Sequence, residues 1–203
     1  MSSPRRYVSP LREQAAARTR ALILERATEL FAERGYGRVT VADIASAAGV
    51  APKTVFASAG SKGDILDRIV EQGERDSGYE QSLADLLALR TPQAVLERLA
   101  RGTRFGNESQ FTVHESIRKA LPVHENGEAL WDRYTAVYRS VLSAAARHLH
   151  TLEPRPPYSV EETADLLWFW FGPSGWRTLV VENGLSWDRA QDLLHRTAVA
   201  TLC

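Results

Sequence analysis

Lys53 and Thr54 open a short stretch, PKTVFASA over residues 52–59, in which Phe56 and Ser58 follow, with Thr40 on one side and Lys62 on the other. A lysine can donate to guanine, and a threonine offers a hydroxyl or a methyl to a base edge. Lys53 and Thr54 are therefore the candidates for reading bases, with Ser58 as a further one. Lys62 and the Thr40 hydroxyl stand beside helix starts, whose backbone N–H groups favour an anion, and suit phosphate contacts that position rather than specify. Phe56 has two readings: a ring set against a sugar or a thymine methyl, and an ordinary core side chain. Arg5, Arg6 and Arg12 add a basic arm that either reaches a minor groove or stays free in solvent.

No other constellation has the spacing of chemistry. HESIR, residues 114–118, begins like a zinc-protease helix but carries Arg118 where the second histidine should stand, so two ligands on one face are lacking. His124, His148, His150 and His195 form no ligand pattern. Neither a phosphate-cradling glycine loop nor a nucleophile elbow occurs, and the one cysteine, Cys203, is the last residue. The sequence thus predicts no catalytic residue, no metal and no cofactor, in a protein that is not an enzyme.

Helices must hold the candidate residues. Ile23, Ala27, Leu30 and Phe31 recur at helical spacing through residues 11–34, and Gly35 supplies the stop. Thr40, three residues before Asp43, is the capping-box signature of a second helix that ends at Gly49. Pro52 is placed for the first turn of a third. Ser61 with Asp64 caps a fourth that runs through Ile65, Leu66, Ile69 and Val70. Two short helices joined at Gly49 and braced by a longer one form a helix-turn-helix, which presents its second helix to a DNA major groove.

The remainder is also helical by pattern. A region from Thr91 and Pro92 to about Leu121 is weakened at Gly102 and Gly106, and a stripe from Trp131 through Tyr134 and Tyr138 to Leu149 marks a helix over residues 127–149. Ser159 with Glu162 caps another, and Ser186 precedes the last. The expected fold class is all-α, with an N-terminal three-helix helix-turn-helix DNA-binding domain and a C-terminal helical domain for ligand binding and dimerisation. Residues 1–13 are a flexible basic arm, 14–60 the helix-turn-helix domain and 61–203 the effector-binding and dimerisation domain.

Charge supports this division. The 203 residues sum to zero formal charge, yet residues 1–62 hold ten basic and five acidic side chains, and the rest carries the opposite excess. A basic front end joined to an acidic body suits a front end that meets a polyanion. No apolar run approaches the roughly 20 residues of a spanning helix, and the first residues lack the apolar centre of a signal peptide. A cytoplasmic protein with no membrane partner is expected.

LLWFWFG, residues 166–172, is apolar around the whole helix, and a second subunit is the simplest cover for its outer side. The predicted homodimer interface contains Leu167, Trp170, Phe171, Trp187, Leu194 and Ala198. Phe105, Phe111, Tyr134, Tyr138 and Trp168, with His114 and Arg118 as polar fixtures, are candidates to line a pocket for a small apolar or aromatic effector. The alternative for each aromatic is ordinary core.

Over TVADIASAAGVAPKTVFASAGSKGDIL the chain resembles the TetR family of transcriptional regulators. Thr40, Asp43, Ile44, Ala45, Gly49, Val50, Thr54, Phe56, Ser61, Lys62 and Leu66 stand where that family has its cap, core, turn, recognition-helix and post-motif lysine positions. ALWDRY, SVEETADLLW with the following Pro173, and GLSWDRAQDLL resemble one subgroup. The resemblance implies a dimer that binds a pseudo-palindromic operator in double-stranded DNA. It also implies pairing of the last two long helices between subunits, and repression released when a small molecule changes the spacing of the reading heads. The chain departs from the pattern at Phe56, where tyrosine is usual, and at Ala57, Ser58 and Ala59, which replace larger and more polar side chains. So smooth a surface also suits an alternative, a helical regulator that lacks a small-molecule response and acts through a protein partner.

Overall fold

The computed structural model describes residues 10–76 and 79–203, and no strand occurs among them. The chain forms two compact units. One takes the chain up to Gln72 together with Glu115–Trp131, and the other takes Gly73–His114 together with Asp132–Cys203. The expected boundary after residue 60 does not coincide with this division, because Ile65 and Leu66 are fully buried and Ile69 and Val70 nearly so in the first unit.

In the first unit α1 spans Pro10–Arg34. Residues 10–13, grouped with the arm by composition, are its opening turn, where a proline is well accommodated. Arg5 and Arg6 lie outside the described residues. A short 3-10 turn, Tyr36–Arg38, leads to α2 (Val41–Ala47), α3 (Pro52–Ala59) and the start of α4 (Lys62–Asp76). Helices this short are marginal alone and persist by packing. Val55 and Ala59 of α3 are fully buried, as are Ile44 of α2 and Ile23 and Ala27 of α1, and the three helices pack on one another. Farther along, α7 (Phe111–Ala120) brings the Lys119 ammonium to the carbonyls of Ala32 and Glu33, a cation at the C-terminal end of α1.

In the second unit α5 (Tyr79–Leu87) and α6 (Pro92–Ser109) are followed by the first residues of α7, most of α8 (Gly127–Leu149), α9 (Val160–Phe171), α10 (Pro173–Arg177), a π-helical turn at Thr178–Glu182 and α11 (Trp187–Leu202). α11 packs chiefly along α6, and the core joins Leu96, Leu142, Leu167, Phe171 and Ala198. The helix after Thr91 runs on through Gly102 and Gly106, where the sequence suggested weakness, and breaks at Gln110. One helical glycine costs about 1 kcal/mol against alanine, and the buried row Leu96, Leu99, Ala100 and Thr103 offsets that by packing.

The expected interface residues need correction here. Leu167, Phe171 and Ala198 are fully buried inside this unit, and Trp170 and Leu194 nearly so. Trp187 is half-buried, with its ring 5.7 Å from that of Trp176. An all-round apolar helix is explained largely by its own neighbours, since α6, α10 and α11 all contact α9. Its outward apolar side chain is Phe169, 72% exposed, with Val181 beyond it and Leu193 on α11 also exposed. No described helix is long and apolar enough to cross a membrane.

Candidate nucleic-acid interface and effector site

The reading element is built from caps and one turn. The Thr40 hydroxyl accepts from the Asp43 N–H at 3.1 Å, while the Asp43 carboxylate accepts from the Thr40 N–H at 2.8 Å and from its hydroxyl at 2.6 Å. These bonds hold the Asp43 carboxyl below its ordinary range, the hydroxyl bond contributing most and the backbone bond next. Gly49 takes φ +66°, a left-handed conformation that costs glycine nothing, and the Val50 N–H closes the turn on the Ala45 carbonyl at 3.0 Å. Pro52 then occupies the first turn of α3. At the far end Gly60, φ +90°, stops the helix, and a Cβ there would lie 2.6 Å from an Asp64 carboxylate oxygen.

With Val55 and Ala59 turned inward, α3 shows solvent Lys53, Phe56 and Ala57, which share one face at i, i+3 and i+4. Phe56 is 56% exposed, so its core reading is excluded. Thr54 and Ser58 flank this stripe half-buried. Arg20 of α1, which sequence reasoning missed, donates from Nε to the Ser58 carbonyl at 2.7 Å and holds the C-terminal end of α3.

Two positioning candidates are occupied. Lys62 donates through Nζ to the Tyr36 and Val39 carbonyls, each at 3.0 Å, and its ammonium lies 4.3 Å from the Tyr36 ring centroid. A lysine so placed ties the start of α4 to the segment before α2, with two of its three N–H donors spent on backbone carbonyls. The Thr40 hydroxyl proton is likewise taken by Asp43. Its single donor is therefore spent, and a phosphate there would meet the backbone N–H groups of the α2 start.

The candidate effector residues separate. Phe105 is 74% exposed and lines no interior, and Arg118 falls in the first unit, forked onto Glu115 at 2.9 and 2.8 Å. The other five fall in the second unit. His114 meets Tyr134 edge-on at 5.5 Å, Tyr138 meets Trp168 at 5.7 Å, and Phe111 meets Trp187 at 6.1 Å. The Arg139 guanidinium covers the Trp168 ring at 3.9 Å.

Sequence reasoning passed over Asn107 on α6, 2% exposed. Its amide donates to the Thr103 carbonyl at 2.7 Å and to the Tyr138 hydroxyl at 3.0 Å, and that hydroxyl donates to the Phe171 carbonyl. A flipped amide would set Oδ1 against the Thr103 carbonyl oxygen, so the orientation stands and Asn107 Oδ1 is a buried acceptor without a partner. Trp176 Nε1 is a buried donor in the same condition. The signal for Asn107 was present, since it continues the row Leu96, Ala100, Thr103 as a polar side chain on a buried face.

Residues 23–69, which hold the whole α2–turn–α3 element, match the family model for bacterial regulatory proteins of the tetR family. Over these residues the chain is similar to that family. No curated protein matches the sequence at a significant level. Among solved structures, a candidate transcriptional regulator from Saccharomonospora viridis in complex with choline is 21% identical, with a TM-score of 0.73 over 92% of this chain and 98% of that one. A TetR family transcriptional regulator from Thermus thermophilus is 18% identical, with a TM-score of 0.69 over 96% and 97%. A regulator from Bacillus subtilis in complex with stearoyl-CoA is 15% identical, with a TM-score of 0.70 over 90% and 99%. These likenesses extend the tetR-like fold along the whole chain. Within the matched residues Lys53 and Phe56 share the outward face of α3, whereas Thr40 and Lys62 hydrogen-bond within the unit itself.

Proposed function

We propose that the protein is a dimeric, sequence-specific repressor that binds a pseudo-palindromic operator and is released by a small apolar or aromatic effector. The observation that carries the DNA reading is the outward stripe of α3, Lys53 with Phe56 and Ala57, on a helix whose inner face is sealed and whose C-terminal end is held by Arg20. Lys53 at the helix start donates to guanine, and the N–H groups opening α2 take a phosphate. The basic excess of residues 1–62 supplies the electrostatic attraction.

Supporting the effector reading are Asn107 Oδ1 and Trp176 Nε1, an acceptor and a donor unmet in an aromatic interior. An unsatisfied buried group costs about 1–3 kcal/mol, and a ligand hydroxyl or amide relieves that cost. Two proteins of the same fold were solved with small molecules, choline and stearoyl-CoA. Contact between subunits is proposed through exposed apolar side chains of the second unit, Phe169 of α9 foremost, which is 72% exposed.

Selection of random duplex DNA on the full chain at two salt concentrations tests the reading. A two-fold symmetric motif whose affinity falls with salt is the expected result, and recovery of no enriched motif removes the sequence-reading role. Lys53→Ala should relax preference at one base position in each half-site, by about 1–3 kcal/mol of discrimination, measured by competition between operator variants.

A further inference from the structure

We infer that, beside the guanine contact of Lys53, the chain reads a thymine methyl group of its operator through Phe56, with Ala57 beside it. This deepens the DNA-reading role proposed above and rests on it. The segment 52–59 contains no Asn, Gln, Arg, His, Asp or Glu. The two-pronged hydrogen bonds that distinguish adenine or guanine through an amide or a guanidinium are therefore not available from α3. Lys53 supplies one ammonium, whose three N–H donors suit a guanine edge, and the Thr54 and Ser58 hydroxyls are on half-buried side chains. What α3 offers the groove beside that lysine is apolar: a phenylalanine ring 56% exposed and an exposed alanine methyl on the same face.

The floor of the major groove presents one methyl group, the C5 methyl of thymine; apart from small C–H edges such as cytosine C5–H, the groups beside it are donors and acceptors. An apolar stripe facing that floor gains by covering the methyl and loses by covering unpaired polar edges. Phe56 lies three residues after Lys53, a helical rise of about 4.5 Å against a base-pair step of about 3.4 Å. The thymine therefore falls within two base pairs of the guanine that takes Lys53. Pro52 fixes its φ in the first turn of α3 and Arg20 bonds the Ser58 carbonyl at the other end, which limits fraying of the helix that carries both the lysine and the ring.

The test uses the full chain and the operator recovered by selection. Each thymine of a half-site is replaced in turn by uracil, which removes the methyl and leaves every hydrogen-bonding edge unchanged. One position per half-site should lose affinity by about fourfold, the worth of one buried methyl. Phe56→Ala should bind the thymine and uracil duplexes equally, with helicity unchanged because the side chain is exposed, and Phe56→Tyr should keep the preference. Equal binding of every uracil duplex by the unaltered protein overturns the proposal while DNA reading stands, and needs no variant. Full discrimination retained by Phe56→Ala overturns the assignment to that ring. Absence of any sequence-selective binding instead overturns the DNA-reading role itself.

Discussion

A side chain's chemistry is set by what already occupies it, and Lys62 and Phe56 illustrate the two outcomes. Both stand at positions where sequence alone allowed DNA contact. Burial and bonding then sent Lys62 inward to two carbonyls and left Phe56 outside. No periodicity rule reports that a lysine beside a helix start finds backbone acceptors about 25 residues back in the chain, so its role was not legible. The distinction is measurable. Lys62→Ala should lower the melting temperature of the DNA-binding unit, by about 1 kcal/mol of stability for a half-exposed charged donor. The slope of log affinity against log salt should stay unchanged, whereas a phosphate ligand would lower that slope by about one unit. Lys53, by contrast, was correctly legible as outward, because Val55 and Ala59 fix which face of α3 is inside.

Helix starts were the most legible elements, since caps are local chemistry written in adjacent residues. Thr40 with Asp43 and Ser159 with Glu162 form reciprocal boxes where the spacing predicted them, and Ser61 with Asp64 makes the same exchange of bonds before α4. Breaks decided by packing were not legible: α6 passes two glycines and stops at Gln110, and the π-helical turn at Thr178–Glu182 has no local signature. The caps also give a pH dependence with a definite sign. The Asp43 and Asp64 carboxyls are held below their ordinary value of 3.8 by the hydroxyl and N–H of their cap residues. A carboxyl lowered in the folded state adds stability above its unfolded value, and that stability is lost as pH falls through the folded value. The DNA-binding unit should thus weaken below about pH 4, and Asp43→Asn should flatten the decline when melting temperatures are compared from pH 5 to pH 3.

At the scale of the molecule, the all-helical class was legible from hydrophobic spacing, whereas the division into two units was not, because residues 115–131 join the first unit only through contacts distant in sequence. The residues expected at a dimer face are mostly covered within their own unit, for periodicity identifies an apolar helix without saying which apolar side chains its own neighbours already cover. Leu167→Ala should cost about 2–5 kcal/mol of stability in thermal or denaturant unfolding, as a core truncation does, with little effect on subunit affinity. Phe169→Glu should leave stability nearly unchanged and shift the sedimentation profile toward monomer at micromolar concentration. Retention of the dimer by Phe169→Glu would remove α9 from the interface. Finally, the placement of the five tryptophans gives the protein an optical reporter of its own. The chain up to Gln72 holds none, while Trp176, its indole N–H unmet, lies with its ring 5.7 Å from that of Trp187 in the second unit. An indole that gains a hydrogen-bond acceptor emits at longer wavelength, so occupation of that interior by an effector should redden the intrinsic fluorescence without any label.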